Sequence, residues 1–154
     1  MALPPGYTLH SGLPSVDAYL HLRSSTGLSP KCASQATASI NGTWYGCHVT
    51  YQSPTNSDNE SSQPEAVAMG RIVGDGGWYF VIADMAVLTS HQRKGLGDVI
   101  LKQLLKKIKE VAPVEEGFRP YINLLADAPG RRLYERNGFV YTDPHSLGMM
   151  FQWD

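Results

Sequence analysis

The chain has 154 residues, a formal net charge of −1 and a hydrophobic fraction of 42%. That length suits one domain with its own core, and the composition is typical of a globular protein. The near-zero charge excludes a global field that would attract nucleic acid or an anionic membrane. No apolar stretch is long enough to span a membrane, and the first residues do not lead us to expect a secretory leader. Cys32 and Cys47 form neither a disulfide framework nor a metal-ligand spacing, which favours a reducing, cytoplasmic location.

The first part of the chain combines strand and helix patterns. Residues 7–10 favour a short strand, and residues 15–25 carry an apolar helical face that ends at Gly27. A second helix is expected through residues 29–40, and the aromatic and β-branched residues 43–51 predict another strand. The order is that of a mixed α/β domain.

Residues 53–64 are polar throughout and contain no apolar anchor. Because strand patterns lie on both sides, at 43–51 and 66–73, we expect a flexible hairpin loop inside a single domain covering residues 1–154. The next strand, at 78–88, is long and apolar, which favours a central place in the sheet.

After Gly97 the hydrophobic period becomes helical, and this helix should stop before Pro113. The remaining elements are predicted as a strand, a short helix and two further strands. They cover residues 121–126, 129–137, 139–141 and 147–153.

A glycine-containing loop joins the apolar strand to this helix and reads Gln92-Arg93-Lys94-Gly95-Leu96-Gly97. Free N–H groups and the positive end of the helix dipole make such a helix start an anion site. Its two glycines let a phosphate approach the main chain, and Arg93 and Lys94 add positive charge. The loop lacks both the Gly-Lys-Ser/Thr of a P-loop and the third glycine of a dinucleotide fingerprint. A phosphorylated ligand of unspecified identity is therefore expected.

This loop resembles the coenzyme-A motif of the GCN5-related N-acetyltransferase (GNAT) superfamily, in which a strand ending in Val leads to Gln/Arg-x-x-Gly-x-Gly/Ala. Downstream, residues 133–139 match the superfamily's second hallmark, a Leu-Tyr pair followed by Gly-Phe. The resemblance implies an α/β (α+β) fold with one mixed, mostly antiparallel sheet that splays at its centre and is flanked by about four helices. Thr89 stands where Pro is common in the superfamily, and Asp127 where Asn is frequent.

The resemblance also implies acetyl-CoA as the acyl donor, used as a co-substrate without a metal. The backbone of Met85, Ala86 and Val87 would hold the pantetheine arm opposite the 125–126 region, and the Val87 N–H would stabilise the carbonyl oxygen. The other implied donor-binding positions are Gln92, Arg93, Lys94, Gly95, Leu96, Gly97, Asp98, Asp127, Arg131 and Tyr134.

Tyr134 matches the position that protonates the coenzyme-A sulfur in many relatives. A phenol is protonated at neutral pH and can donate to a developing thiolate. The alternative is that Tyr134 is an aromatic side chain that packs on the sheet. The acid role is favoured by the surrounding Leu-Tyr and Gly-Phe pairs.

Asp84 is the first choice for the base that takes the proton of the amine, because a charged residue inside an apolar strand needs a task or a partner. Alternation places it on the sheet face opposite Met85 and Val87. The alternative is a carboxylate paired with an arginine such as Arg71 in the neighbouring strand.

Two histidines and one further acid are weaker candidates. His48 lies in a strand that would line the acceptor groove, and His91 is expected to be a solvated loop residue. Asp127, which follows a strand, is also a candidate N-cap for the next helix.

Trp44, His48 and Asp84 are the candidate acceptor-binding residues. The aromatic residues near Trp44 would form either a wall for an amine or a core filler between strands. A small primary amine is favoured, with direct attack in a ternary complex. The alternatives are a protein or peptide amine, a non-catalytic acetyl-CoA-binding module, and a nucleotide-binding protein of unrelated fold. The apolar C-terminal run 147–151 permits a homodimer.

Overall fold

The computed structural model describes residues 2–54 and 63–153. One five-stranded sheet has the order β1-β2-β3-β4-β5, with antiparallel neighbours except for the parallel pair β4 and β5. The strands are β1 (Tyr7–Ser11), β2 (Tyr45–Tyr51), β3 (Glu65–Gly74), β4 (Tyr79–Val87) and β5 (Tyr121–Asn123). The helices are α1 (Val16–Ser25), α2 (Ala33–Asn41), α3 (Leu96–Val111) and α4 (Arg131–Arg136). The predicted mixed, mostly antiparallel sheet with about four helices is confirmed.

Local sequence explains where the helices begin and end. The Ser15 hydroxyl accepts a hydrogen bond from the Ala18 N–H at the start of α1. Helix α3 buries Ile100, Leu104 and Ile108 on one face and ends before Pro113, as its periodicity predicts.

The connection between β2 and β3 lies in the polar stretch at residues 53–64. Its antiparallel flanks confirm the predicted hairpin. Residues 55–62, to which the predicted flexible loop mostly belongs, lie outside the described residues.

The sheet buries both faces against different helices. Helix α3 packs on one face of β2, β3 and β4, and α1 packs against β3 and β4. A Cβ added to Gly70 would lie 2.6 Å from both Ile100 Cγ2 and Met85 Sδ, so Met85 is on the α3 face. Asp84 contacts Tyr19 of α1. The predicted placement of Asp84 and Met85 on opposite faces is therefore confirmed.

The chain after α4 departs from the expected pattern. Residues 139–141 and 147–153 form no strand, and β5 is shorter than the predicted 121–126. Large apolar side chains in this segment are exposed, including Val140 at 85% and Met149 at 94%. The sequence pattern that suggested strands depends on the apolar side chains alone. A strand also needs a partner for its backbone, and β5 does not pair with these residues. A cavity of about 660 Å³ remains between β5, α4 and residues 139–148.

Candidate active site

The two parallel strands, β4 and β5, separate part of the way along their length. Pairing between β4 and β5 runs from Tyr79 with Tyr121 to Val81 with Asn123 and then stops. Strand β4 continues to Val87, whereas residues 124–126 leave the sheet. A gap therefore opens beside the last part of β4, and the expected splay is present between β4 and β5, the edge strand of the described sheet.

The backbone of Val87 is turned toward this gap. The Leu88 N–H donates to Val67 O on the β3 side at 2.9 Å, so alternation directs the Val87 N–H to the opposite edge of β4. The Val87 carbonyl accepts a hydrogen bond from Gln92 Nε2 at 3.2 Å. Gln92 thus ties the loop before α3 to the end of β4, and the Val87 N–H faces the gap.

The loop that precedes α3 has a left-handed backbone at two positions. Arg93 has φ of 60°, and Gly95, the N-cap of α3, has φ of 80°. No side chain caps α3, so the first-turn N–H groups of Leu96, Gly97 and Asp98 remain available to an anion. The side chain of Leu96 is buried, so this residue offers a ligand only its backbone.

Gly97 is the point where β4, α3 and α4 meet. A Cβ added to it would lie 3.3 Å from Leu133 Cδ2 and 3.8 Å from Val87 Cγ2. The absence of a side chain here lets the strand end, the first turn of α3 and the Leu133-Tyr134 helix approach one another. The two motifs that the sequence singled out are thus parts of one site.

The loop before α3 is stabilised by contacts with β1 that the sequence did not reveal. The Tyr7 hydroxyl lies 2.7 Å from His91 Nδ1 and accepts a hydrogen bond from Lys94 Nζ at 3.0 Å. The expectation that His91 is a solvated loop residue is therefore wrong, because it is half-buried against Tyr7 and Tyr51. Burial and the nearby Lys94 charge lower the pKa of His91, which keeps it neutral at pH 7.

The Asp98 side chain links two helices. It is 5% exposed, accepts a hydrogen bond from Asn137 Nδ2 at 2.8 Å, and pairs with Lys102 and Arg136. Hydrogen bonds from Lys102 and Asn137 lower the pKa of Asp98. Its carboxylate therefore fastens α4 to α3, and the predicted contact with a donor would involve its backbone N–H.

Tyr134 projects from α4 beside the turn that precedes it. Its ring lies edge-on to Phe139 at 5.9 Å between centroids, and it lines the cavity next to β5 together with Arg131. The Tyr134 hydroxyl makes no hydrogen bond to another described residue. The ring does pack against its neighbours, as the alternative to an acid role predicted. Burial, and then the negative charge of Asp127, raise the pKa of Tyr134. The phenol therefore stays protonated through neutral and mildly alkaline pH.

Two further predicted donor residues lie beside α4. Arg131 Nε donates to the Ala126 carbonyl at 3.3 Å, which leaves the rest of its guanidinium exposed. Asp127 occupies the N-cap position of the 3₁₀ turn Ala128–Gly130, yet its side chain makes no capping hydrogen bond. Its effect on the site is electrostatic, through Tyr134.

Asp84 is held by three partners. Its carboxylate accepts hydrogen bonds from Arg23 Nη1, from the Tyr19 hydroxyl, and from Arg71 Nε at 2.6 Å. Three of its roughly four lone-pair directions are thus occupied. The structural alternative, a pair with Arg71, is present, and the carboxylate is a poor candidate for the base that the sequence suggested. Arg23 was missed because it lies 61 positions from Asp84 in the chain.

Trp44 lies at the wrong end of the sheet to meet a donor at Val87. Its ring packs against Phe80 at 4.9 Å and would meet a Cβ at Gly76. At about 3.3 Å per strand residue, Phe80 is roughly 20 Å from Ala86. The core-filling alternative fits Trp44, and its predicted contact with an acceptor does not.

His48 is placed across the sheet from the donor gap. The register aligns His48 with Met69 and Met69 with Ala86, which separates His48 from Ala86 by about 10 Å. His48 Nδ1 donates to the Gly12 carbonyl at 2.7 Å, so in neutral imidazole the lone pair is on Nε2. Burial lowers the pKa of His48, with a smaller effect from the stacked His10.

Together these groups provide a backbone anion site, an N–H beside a gap, and a half-buried phenol on one side of the sheet. Among the described residues, no group of three or more His, Cys, Asp or Glu side chains is placed to hold a metal ion. Within the described residues, no helix combines the length and the apolar character needed to cross a membrane.

Comparison with known proteins agrees with this geometry. The family model described as Acetyltransferase (GNAT) domain matches residues 58–141. A probable acetyltransferase of unknown function from meticillin-resistant Staphylococcus aureus is 31% identical, with a TM-score of 0.79 over 96% of this chain and 99% of that one. No curated protein matches the chain.

Two solved structures with defined names share the fold at lower identity. Glucosamine-6-phosphate N-acetyltransferase from Arabidopsis thaliana is 14% identical, with a TM-score of 0.64 over 96% of this chain and 99% of that one. The ribosomal-protein-S18-alanine N-acetyltransferase from Escherichia coli is 18% identical, with a TM-score of 0.57 over 86% of this chain and 76% of that one. The family match covers more than half of the chain and the Staphylococcus aureus protein almost all of it, so this chain belongs to the GNAT acetyltransferase family.

Proposed function

We propose that this protein transfers the acetyl group of acetyl-CoA to a primary amine of a small molecule, by direct attack in a ternary complex. The observation that carries the proposal is the meeting of three elements at Gly97, within 3.3 Å of Leu133 and 3.8 Å of Val87 for an added Cβ. The first turn of α3 would hold the pyrophosphate, with Arg93 and Lys94 at its mouth.

Acetyl-CoA, when bound, supplies an acetyl thioester that is activated toward an amine. The Val87 N–H is the donor we assign to the thioester oxygen, because it faces the gap on the side of β4 away from β3. Tyr134 is the acid we assign to the departing sulfur, since its raised pKa keeps the phenol protonated. Met85 would pair with the extended donor through its backbone, whereas alternation turns the N–H and C=O of Ala86 toward β3 and leaves them no role in holding the donor.

The base is reassigned from Asp84 to His48, which would act through a water because of the separation from Ala86. Its lowered pKa keeps Nε2 unprotonated at pH 7, and activity should fall as the pH drops through that pKa. We expect His48→Gln to lower turnover about 10²-fold and to abolish this acid-side dependence. The measurement is the pH profile of turnover, with the exposed His21→Gln as control. An unchanged acid limb in His48→Gln would remove the assignment.

The 3.3 Å approach of Leu133 Cδ2 to an added Cβ at Gly97 predicts a response to one added methyl group. Overpacking at a tight site typically costs about 1–3 kcal/mol, so Gly97→Ala should weaken acetyl-CoA binding about tenfold or more. Titration calorimetry with acetyl-CoA measures the effect. Gly77→Ala is the control, because its added Cβ meets only Asp75 Oδ1 at an ordinary 3.4 Å. Equal affinities in the two variants would contradict the assignment of the first turn of α3 to the pyrophosphate.

A small-molecule amine is the acceptor that we favour, in keeping with a similar fold that is named for a sugar phosphate. A protein or peptide amine is the alternative within the family, since the similar folds include one named for a sugar phosphate and one named for a ribosomal protein. A non-catalytic acetyl-CoA-binding module is a second candidate, favoured by the engagement of Asp84 in ion pairs.

A thiol-release assay with acetyl-CoA against a panel of amines tests the proposal. Release that depends on a small amine supports it and identifies the substrate class. Release only with peptides selects the alternative acceptor. Binding of acetyl-CoA without release from any amine would select the non-catalytic module.

We infer that the chain is a single domain that works as a homodimer in the cytoplasm. The free thiols Cys32 and Cys47 support a reducing compartment.

The exposed apolar side chains of the C-terminal segment, among them Met149 and Phe151, support a self-association surface. We expect sedimentation analysis to show a dimer that Met149→Lys with Phe151→Lys converts to monomer. A monomeric unsubstituted protein would exclude this state.

A further inference from the structure

Strand β4 contains an irregularity immediately before the donor-binding residues. The register with β3 shifts so that Met69 faces Ala86 while Arg71 faces Ala83, and Gly70 is left opposite both Asp84 and Met85. Asp84 has φ of 53°, in the left-handed region that most side chains avoid. These features define a β-bulge centred on Asp84, which re-aims the strand that follows it.

The bulge is accommodated on both faces of the sheet. On the α3 face, Gly70 leaves room for Met85, whose sulfur would lie 2.6 Å from an added Cβ. On the α1 face, the Asp84 carboxylate is bound by Tyr19, Arg23 and Arg71, and its side chain is 9% exposed. A buried carboxylate with these partners holds its own backbone in place, because strained backbone persists where surrounding contacts over-determine it.

The same cluster reaches the two helices that cover this face. Arg23 Nη2 donates to the Ser29 carbonyl at 2.8 Å, between α1 and α2. Tyr19 and Arg23 both belong to α1. Burial and the hydrogen bond to Asp84 raise the pKa of Tyr19, which keeps its phenol a donor to the carboxylate. The bulge is therefore anchored to elements outside the sheet.

We propose that Asp84 is a positioning residue, whose carboxylate, held by Tyr19, Arg23 and Arg71, sets the bulge that turns the backbone of residues 85–87 toward the donor. This inference rests on the proposed function, because the gap beside β4 matters only if acetyl-CoA binds there. It differs from a base in a measurable way. A base acts on the acceptor amine and leaves donor affinity unchanged, whereas a misplaced strand weakens donor binding.

The test compares acetyl-CoA affinity among variants by titration calorimetry. Asp84→Asn keeps the shape and tolerates positive φ but removes the charge, and we expect about tenfold weaker binding with shifted amide NMR signals for residues 85–87. Tyr19→Phe removes one hydrogen bond without changing charge. It keeps the test open if Asp84→Asn fails to fold, and we expect about threefold weaker binding.

Leu22→Ala is the control for general destabilisation, since Leu22 is buried on α1 and is not part of the cluster. It should leave acetyl-CoA affinity unchanged. Wild-type affinity in Asp84→Asn, or in Tyr19→Phe if the first variant is unfolded, overturns the inference while leaving the proposed function intact. Equal weakening in Leu22→Ala also overturns it. Failure of the unsubstituted protein to bind acetyl-CoA contradicts the proposed function itself.

Discussion

Tyr134→Phe is expected to lower turnover about 10²- to 10⁴-fold while leaving acetyl-CoA affinity nearly unchanged. The substitution keeps the ring that packs edge-on to Phe139 and removes only the hydroxyl. Because burial and Asp127 raise the pKa of Tyr134, the hydroxyl carries its proton at the pH where the sulfur needs it. Loss of this donor therefore affects the departure of the thiolate and not the binding of the donor.

The matched control for this prediction is Tyr45→Phe. The Tyr45 hydroxyl accepts a hydrogen bond from Gln103 Nε2 at 3.0 Å, on the α3 face of β2. Turnover and calorimetric affinity should be measured for both variants under the same conditions. Equal turnover in Tyr134→Phe and the unsubstituted protein would show that Tyr134 only packs against the sheet.

Asp84→Ala is expected to destabilise the fold by about 3–5 kcal/mol, because it leaves two buried guanidinium groups without their anion. The Arg23 and Arg71 side chains are 10% and 15% exposed, so water replaces little of the lost interaction. Alanine also pays to adopt the φ of 53° at this position, since left-handed backbone costs roughly 1–2 kcal/mol for most residues.

Urea unfolding followed by circular dichroism measures this loss as a change in the free energy of unfolding. Asp17→Ala, an exposed carboxylate on the same helix as Arg23, is the control and should change stability by less than about 0.5 kcal/mol. A loss below about 1 kcal/mol in Asp84→Ala would mean that the ion pairs contribute little, and that another feature holds the bulge.

The donor-binding half of the site was predictable because its signals are local. Gly95 and Gly97 are spaced for a helix start, and the apolar period of α3 begins directly after them. The second motif, at Leu133 and Tyr134, lies close to the first in space because α4 follows β5, the parallel neighbour of β4.

The groups that support the site from other elements depend on contacts between residues that are distant in sequence. The hydrogen bond between Tyr7 and His91 spans 84 positions, and that between Arg23 and Asp84 spans 61. Neither residue type nor spacing specifies such pairs. Asp84 stood out as a charge in an apolar strand, yet the same signal fits a base and an ion pair, and only the neighbours distinguish them.

The C-terminal strands were predicted wrongly for a different reason. Alternating apolar residues at 147–153 have the period of a strand, but the pattern does not say which edge would pair with them. Strand β5 is three residues long and offers a short edge. Side-chain periodicity therefore predicted that the segment tends to form a strand, but it did not identify a strand for it to pair with.

The central claim is that the loop before α3 binds acetyl-CoA, and thermal unfolding of the unsubstituted protein with acetyl-CoA, ATP or NAD tests it most directly. A ligand that binds only the native state adds about 2.7 kcal/mol at a concentration 100 times its Kd. We expect acetyl-CoA to raise the Tm and the two nucleotides to leave it nearly unchanged. Stabilisation by ATP alone would contradict the assignment of the site.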